Sequence, residues 1–154
     1  MRYNRDNPKH EDNLKIQLSQ AAHNAGLYLH LEYRHKNCRF DAVCVRGQEI
    51  FAIIEIKTWD KSKAERVRDK PTEQLKKYQN FGVPVFVLYN FSGVRGLVRR
   101  LGKLARKADS GRMVKTAYLD FYPKLKKKKV PTELEKLIAS QKKDMRYGNR
   151  YLVK

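Results

Sequence analysis

The alternation of hydrophobic and polar positions predicts a helix followed by three strands in the first third of the chain. Apolar residues recur at helical spacing from Leu14 to Ala25, after the start signal Asn7-Pro8 and before the stop signal Gly26. Strand-like patterns follow in three segments, 27–33, 40–45 and 50–57. The third segment is apolar on both faces, so we expect it to lie buried at the centre of a sheet.

The rest of the chain adds further helices and strands and ends in a basic segment. The charged stretch 59–70 lacks periodicity and is predicted to be an exposed loop. The remaining patterns predict a helix over 71–80, a strand over 83–89, an amphipathic helix over 92–108, a strand over 114–122 and a short helix over 131–140. The order α-β-β-β-α-β-α-β favours one α/β domain with a mixed sheet, residues 1–122, and a basic C-terminal extension, residues 123–154.

Charge is distributed unevenly along the 154 residues. The net charge is +19, with 9 basic and 7 acidic residues up to Lys57 and 26 basic and 9 acidic residues after it. A basic balance of this size indicates a polyanionic partner, and nucleic acid is the first expectation. A basic protein of the ribosomal type, without any chemistry, is the simplest alternative.

Composition also bears on location. The apolar runs are too short to cross a bilayer, and no apolar stretch of a secretory signal stands at the N-terminus. Only two cysteines occur, which is typical of a reducing compartment. We therefore expect no membrane partner and an intracellular location, in the cytoplasm or with the nucleoid, or in the host cell if the source is a virus.

Three acidic residues lie on otherwise apolar faces of predicted elements. Glu11 shares the apolar stripe of the first helix, Asp41 shares a strand face with Val43, and Glu55 lies inside the most apolar strand, followed on the same face by Lys57. Carboxylates in such places are costly unless they are paired or bind a metal. A divalent cation held by Asp41 and Glu55 could polarise a phosphodiester and activate a water molecule.

A shared metal requires Asp41 and Glu55 to face the same side of the sheet. A two-residue turn at Gly47-Gln48 alone would place them on opposite faces. A three-residue turn, or a β-bulge, would set them opposite each other on one face. We therefore predict one of these two devices in the hairpin, with Gly47 in a left-handed conformation.

These acidic residues and their neighbours resemble the motifs of the PD-(D/E)xK nuclease superfamily. Asp41, in Arg39-Phe40-Asp41-Ala42-Val43, matches the aspartate of the second strand, although Phe40 replaces the usual proline. The segment Glu55-Ile56-Lys57 matches the E-x-K of the third strand, and Glu11 matches an acidic residue that many members carry on the first helix.

A second motif resembles the RecB-like subgroup of that superfamily. The segment Gln74-Leu75-Lys76-Lys77-Tyr78 matches its Q-x-x-x-Y pattern, whose two polar residues share one helix face. With two cysteines, the chain lacks the four needed by the iron–sulfur members. The resemblance covers roughly residues 11–89.

The resemblance implies a restriction-endonuclease-like fold with an α-β-β-β-α-β core and a hydrolase of DNA phosphodiester bonds that uses Mg²⁺, with Mn²⁺ as a substitute. It implies metal ligation by Asp41 and Glu55 with support from Glu11, and a Lys57 that positions or activates water. Gln74 and Tyr78 would support the site or touch the nucleic acid. The implied catalytic set is Asp41, Glu55, Lys57, Gln74 and Tyr78.

Candidate nucleic-acid contacts lie outside these motifs. Trp59 either stacks on a base or packs over the end of the sheet. Basic residues in the charged stretch, the amphipathic helix and the tail could meet phosphates, although solvated side chains are the simpler alternative; they are Lys61, Lys63, Arg66, Arg68, Arg99, Arg100, Lys103, Lys126, Lys127 and Lys128.

The function expected from the sequence is that of a magnesium-dependent DNA endonuclease. Two alternatives stay open: a homodimeric, structure-specific nuclease that resolves junctions, and a non-catalytic basic protein that binds nucleic acid. The motifs do not separate endonuclease from exonuclease, and a partner protein from a replication or repair system stays open as well.

Overall fold

Helices and strands both occur in the computed structural model, which describes residues 8–112 and 116–126, together with residues 133, 137, 138 and 140. The helices are α1 (Pro8–Asn24), α2 (Lys61–Asp69), α3 (Glu73–Gln79) and α4 (Val94–Asp109), with a 3-10 turn at Phe91–Gly93. The strands are β1 (Tyr28–His35), β2 (Cys38–Arg46), β3 (Glu49–Ile56), β4 (Val85–Leu88) and β5 (Leu119–Tyr122).

The five strands form one mixed sheet in the order β1-β2-β3-β4-β5. The first three pair antiparallel, and β4 and β5 continue the sheet in parallel. Parallel neighbours need crossover connections, which here contain α2, α3 and α4. The prediction of an α/β domain with a mixed sheet and a buried central third strand is confirmed, since the last six residues of β3 are buried.

Helices cover both faces of this sheet. On one face, α1 and α4 contribute apolar residues at helical spacing, including Leu14, Leu18, Leu97 and Leu101, all fully buried. The other face is covered by α2 and α3 through residues such as Leu75. Burying a side chain of this size contributes about 1.5–3 kcal/mol, so the two layers hold the sheet firmly in place.

The stretch 59–70 differs from its prediction as an exposed loop, because it contains α2. The Asp60 side chain caps this helix by accepting a hydrogen bond from the amide of Lys63 at 2.8 Å. Only Ala64 and Val67 are buried, three residues apart on one face. Two small apolar positions among charged residues leave a periodicity too weak to detect in the sequence.

The last predicted strand is shorter than expected. The observed strand β5 has four residues, which pair with the four residues of β4, and residues 116–118 before it are not in a strand. The carbonyl of Pro123 accepts a hydrogen bond from the hydroxyl of Tyr89, and Leu125 packs against the same layer as α2 and α3. Most of the helix predicted at 131–140 lies outside the described residues. No helix among the described residues is long and apolar enough to cross a membrane.

Candidate active site

The β2–β3 hairpin reaches the predicted register through a bulge. Arg46 pairs with Glu49, so the turn has two residues, and Gly47 has a positive φ of 60°. The register then shifts by one, with Phe51 as the extra residue of β3, and both Phe51 and Ala52 pack into the α1/α4 layer. The three-residue turn is therefore wrong, while the bulge supplies the one-position shift that a shared face requires.

Asp41 and Glu55 meet where this pairing ends. The last opposed pair is Ala42 and Ile54, and Asp41 and Glu55 are the next positions on each strand. The amide of Ile56 donates a hydrogen bond to Asp41 Oδ2 at 2.8 Å. The Asp41 side chain thus accepts the bond that a backbone carbonyl would accept in a regular pair of strands. The Asp41 carboxyl lies close enough to Glu55 to raise its pKa. The structure thus brings the two predicted carboxylates together.

Glu55 is buried in a way that disfavours its charged form. The residue is 4% exposed, and no donor among the described residues reaches its Oε2. Burial, followed by the nearby Asp41 carboxyl, raises the pKa of Glu55 to about 8, even though Lys57 acts to lower it. A proton or a bound cation would satisfy the Oε2 atom.

A chain of polar contacts leads from Glu55 to the backbone of β2. The Lys57 Nζ lies 3.3 Å from Glu55 Oε1 and donates to Gln74 Oε1 at 3.1 Å. The Gln74 Nε2 donates to the Tyr78 hydroxyl at 2.8 Å, which in turn donates to the carbonyl oxygen of Arg39 at 2.8 Å. Four of the five predicted catalytic residues are joined in this chain, and the fifth, Asp41, adjoins Glu55.

Helix α3 places Gln74 and Tyr78 at the site. Thr72 caps the helix by accepting from the amide of Leu75, and Leu75 and Tyr78 are buried under the sheet. The Tyr78 ring packs edge-on against Phe40 with centroids 4.8 Å apart. Burial raises the pKa of Tyr78 to about 12, so its hydroxyl keeps the proton that it donates.

Glu11 forms an ion pair with Lys15, the residue four positions further along α1. The Lys15 Nζ lies 3.5 Å from Glu11 Oε1 and 3.4 Å from Glu32 Oε1, and Arg39 bonds the same Glu32 oxygen at 2.9 Å. Burial lowers the pKa of Lys15, but Glu11, Asp41 and Glu32 raise it, and the net shift is upward. Within the described part of the chain, no three His, Cys, Asp or Glu side chains gather as a metal-binding group, so metal support from Glu11 stays a prediction.

Sequence patterns did not predict three charged residues of this region: Lys15, Glu32 and Arg39. The pair Glu11 and Lys15, four apart on one helix, is a signal that could have been used. Glu32 has a positive φ of 53° and has no assigned partner in the β1–β2 ladder, while its neighbours Leu31 and Tyr33 do. A left-handed glutamate inside a strand cannot be detected from sequence patterns, because most residues of its type avoid that conformation.

Trp59 packs on the protein itself. It is 8% exposed and belongs to the layer formed by α2 and α3. The ammonium groups of Lys57 and Lys63 lie 5.8 and 5.6 Å from its ring centroid. The structure favours packing over the sheet, because little of the ring is left for a stacked base.

The basic residues predicted to meet nucleic acid fall on both faces of the sheet. On α2, Lys61, Lys63 and Arg66 are exposed, whereas Arg68 is half-buried with its Nε 3.5 Å from Asp69 Oδ1. Because α2 covers the same face as Glu55, its cations lie on the side of the candidate site.

The cations of α4 lie on the opposite face. Arg99 and Lys103 are exposed, whereas Arg100 is half-buried and donates to the Tyr118 hydroxyl at 2.9 Å. In the tail, Lys126 is exposed, and Lys127 and Lys128 lie outside the described residues.

In comparisons with known proteins, no family model, no curated protein and no solved structure matches this chain.

Proposed function

We propose that this protein is a magnesium-dependent endonuclease that hydrolyses DNA phosphodiester bonds. One observation carries the proposal: Glu55 lies buried beside Asp41, with an oxygen that no described donor reaches. Lys57 compensates only the other oxygen of Glu55, and a buried polar atom without a donor is costly in a folded protein.

The two carboxyl groups fit a hard divalent cation. Carboxylate oxygens are the ligands that Mg²⁺ and Mn²⁺ take in proteins, and a cation would compensate both the burial of Glu55 and the repulsion from Asp41. When bound, the ion would supply Lewis-acid polarisation of the phosphodiester and a more acidic water molecule. The fit rests on the donor set and on the orphaned Glu55 Oε2.

Lys57 would act beside these carboxyl groups. Its ammonium group has three N–H donors, and contacts to Glu55 and Gln74 engage two of them. The remaining donor is available to a water molecule or a phosphate oxygen. Because Gln74 is held in turn by Tyr78, the ammonium group is positioned before any substrate binds, which is what electrostatic stabilisation of a developing charge requires.

The topology supports a restriction-endonuclease-like core. Helix α1, the antiparallel strands β1 to β3, the connecting helices and the parallel strand β4 follow the α-β-β-β-α-β order that the resemblance implies. Asp41 lies on the second strand and Glu55 on the third, with Lys57 directly after it. The extra helix α2 lies in the connection between β3 and α3.

DNA is the proposed substrate because of charge. The net charge of +19 favours a polyanion, and exposed cations of α2 lie on the face of the candidate site. A non-catalytic nucleic-acid-binding protein would use the same cations, but it would gain nothing from a buried Glu55 whose Oε2 no described donor reaches.

Nuclease assays with different DNA shapes test the proposal. Linear, circular, single-stranded and four-way-branched DNA are incubated with the full chain in Mg²⁺ or in EDTA. We expect cleavage of circular DNA in Mg²⁺ and none in EDTA. Preferred cleavage of branched DNA would favour the junction-resolving alternative, and cleavage of no substrate in Mg²⁺ or Mn²⁺ would contradict the proposal.

A matched pair of variants localises the chemistry. Glu55→Gln should lower the cleavage rate by about 100-fold or more, because it removes a charged ligand without changing shape. Glu73→Gln makes the same chemical change at a side chain that is 95% exposed, and should leave the rate unchanged. Titration calorimetry with Mn²⁺ should show weaker binding only for Glu55→Gln. Equal activity in both variants would exclude Glu55 as a ligand.

A further inference from the structure

A cleft of about 460 Å³ opens between the β1–β2 turn and the C-terminal end of α3. This volume lies within the range of about 300–1,000 Å³ that is common for ligand sites. Two aromatic rings, two amides and two ammonium groups line it; these belong to His35, Lys36, Asn37, Lys77, Asn80 and Phe81.

The polar groups of the cleft are available to a ligand. The side chains of Asn37, Asn80, Lys36 and Lys77 form no hydrogen bond or ion pair with any residue that the structure describes. Amide groups offer a donor and an acceptor together, which is the pairing that base edges present. Ammonium groups suit the phosphates on either side of a base.

The aromatic part of the cleft is built on the core. His35 and Phe81 contact each other edge-on, with centroids 5.7 Å apart. Phe81 also packs edge-on against the buried Phe40 at 5.1 Å, so its ring is held in place. Proteins that bind unpaired nucleotides commonly use aromatic side chains of this kind as platforms for the bases.

The turn that carries Lys36 is strained. Lys36 has a positive φ of 53° in a two-residue turn between the paired residues His35 and Cys38. Glycine or asparagine is the usual occupant of such a position, because other side chains crowd the backbone there. Strain at a ligand-facing position is a typical mark of a functional constraint.

The cleft lies close to the candidate active site along two elements. Cys38, on its wall, precedes Asp41 by three residues of β2, which span about 10 Å. Asn80 follows Gln74 by six residues along α3 and its cap, which span about 9 Å. Stacked nucleotides rise about 3.4 Å each, so the cleft lies within about three nucleotides of the site, and fewer in an extended strand.

We propose that this cleft binds an unstacked nucleobase of the substrate strand near the scissile phosphate, an inference that rests on the proposed nuclease function. Phe81 and His35 form the platform, Asn37 and Asn80 hydrogen-bond the base edge, and Lys36 and Lys77 bind the adjacent phosphates. A base inside a duplex cannot reach these groups without leaving its stack. The preferred substrate is therefore single-stranded or locally unpaired DNA.

Binding measurements in EDTA test the cleft without any cleavage. Fluorescence anisotropy is recorded for a labelled single-stranded DNA, the same strand with every base removed, the corresponding duplex, and the RNA of the same sequence. We expect the wild-type chain to bind the intact single strand about fivefold or more tightly than the abasic strand, which carries the same phosphates. In Asn37→Ala/Asn80→Ala this preference should fall below about twofold, because lost hydrogen bonds of this kind weaken binding several-fold. The RNA arm shows whether the 2′-hydroxyl is tolerated.

A charge-matched pair of variants controls for electrostatics. Lys77→Ala and Lys76→Ala remove the same charge from neighbouring positions of α3, but only Lys77 lines the cleft. Lys77→Ala should weaken single-strand binding more than duplex binding, whereas Lys76→Ala should affect the two similarly. Equal affinity of the wild-type chain for intact and abasic strands would overturn the proposal. Base-dependent binding without any cleavage in Mg²⁺ would instead leave the cleft intact and refute the nuclease function.

Discussion

At the residue scale, Glu55 connects function with stability. Its carboxyl group is an ordinary acid in the unfolded chain, with a pKa near 4.5, and burial followed by the field of Asp41 raises its pKa to about 8 in the folded chain. The folded state therefore holds a proton that the unfolded state releases. Stability is fully present below about pH 4.5 and declines as the pH rises toward 8, by at most about 1.4 kcal/mol per pH unit.

Replacing Glu55 by glutamine should stabilise the metal-free protein at high pH. Glutamine resembles the protonated acid and cannot ionise, so the free energy of unfolding at pH 8 should rise by about 1–3 kcal/mol. Urea unfolding in EDTA from pH 5 to pH 8 measures the difference, which should shrink toward pH 5. Glu73→Gln, at an exposed position, should follow the wild-type curve. A Glu55→Gln curve parallel to wild type would mean that Glu55 is not protonated in the fold.

At the element scale, α3 links the core to the candidate site. One face of this short helix buries Leu75 and Tyr78 under the sheet, while Gln74 holds the ammonium group of Lys57. The tyrosine hydroxyl anchors Gln74 and bonds to the carbonyl of Arg39 on β2. The position of Lys57 thus depends on Tyr78, which in the proposed mechanism touches neither the metal nor the substrate.

Tyr78→Phe should lower kcat by about 10- to 100-fold with little change in KM, which is the usual range for residues that orient a catalytic group. Tyr89→Phe is a matched control, because Tyr89 is also buried and its hydroxyl also donates to a backbone carbonyl, that of Pro123. Both variants should lose about 1 kcal/mol of stability. Equal kcat values in the two variants would show that Tyr78 has only a structural role.

The junction between the 3-10 turn and β5 depends on a glycine. A Cβ atom on Gly93 would stand 2.4 Å from backbone atoms of Tyr122 and Pro123, closer than any real contact. At Gly102, inside the helix α4 that follows Gly93, only the end of the Arg106 side chain comes within 4 Å, at 3.6 Å. The two glycines of the same region therefore have different structural roles.

The same substitution should have opposite effects at these two glycines. Gly93→Ala should destabilise the protein by about 2–3 kcal/mol, because backbone must move. Gly102→Ala should stabilise it by about 0.5–1 kcal/mol, because alanine favours a helix interior. Thermal unfolding should show Tm shifts of about 2–4 °C per kcal/mol in opposite directions. Shifts of the same sign would contradict the packing of Gly93 on β5.

At the scale of the whole molecule, cations lie on both faces of the sheet while the carboxyl pair lies on one. Several cations are neutralised in place: Arg46 pairs with Asp109, and Lys124 pairs with Asp120. Exposed cations of α4 such as Arg99 and Lys103 have no such partner among the described residues. A duplex bound to the α4 face would use these side chains, far from Glu55.

Arg99→Gln/Lys103→Gln should reduce the salt dependence of duplex binding if both residues contact phosphates. The slope of log K against log salt concentration should become shallower by about 1.8, at about 0.9 for each lost contact. Arg46→Gln/Lys124→Gln removes the same formal charge from cations that are already paired, and should change the slope much less. Equal slopes in the two double variants would remove α4 from the DNA-binding surface. Anisotropy titrations from 50 to 200 mM salt, about the range in which such contacts weaken, give the slopes.

The sequence by itself determined the order of most elements and named the carboxyl pair, Lys57, Gln74 and Tyr78 as candidates. Periods of two and of 3.6 residues are local properties, so they revealed the buried strand that carries Glu55 and the helix that carries Gln74 and Tyr78. The same local logic failed for α2, because its two small buried residues, Ala64 and Val67, carry too little apolar pattern.

Only the tertiary structure decided how these residues meet. The bulge at Phe51 sets the face of Glu55, and no local pattern distinguished it from a longer turn. The contact of Lys57 with Gln74 joins residues 17 apart, and so does that of Lys15 with Glu32. Strand register and long-range contacts depend on how layers pack against each other, and that packing is a property of the whole chain rather than of any segment.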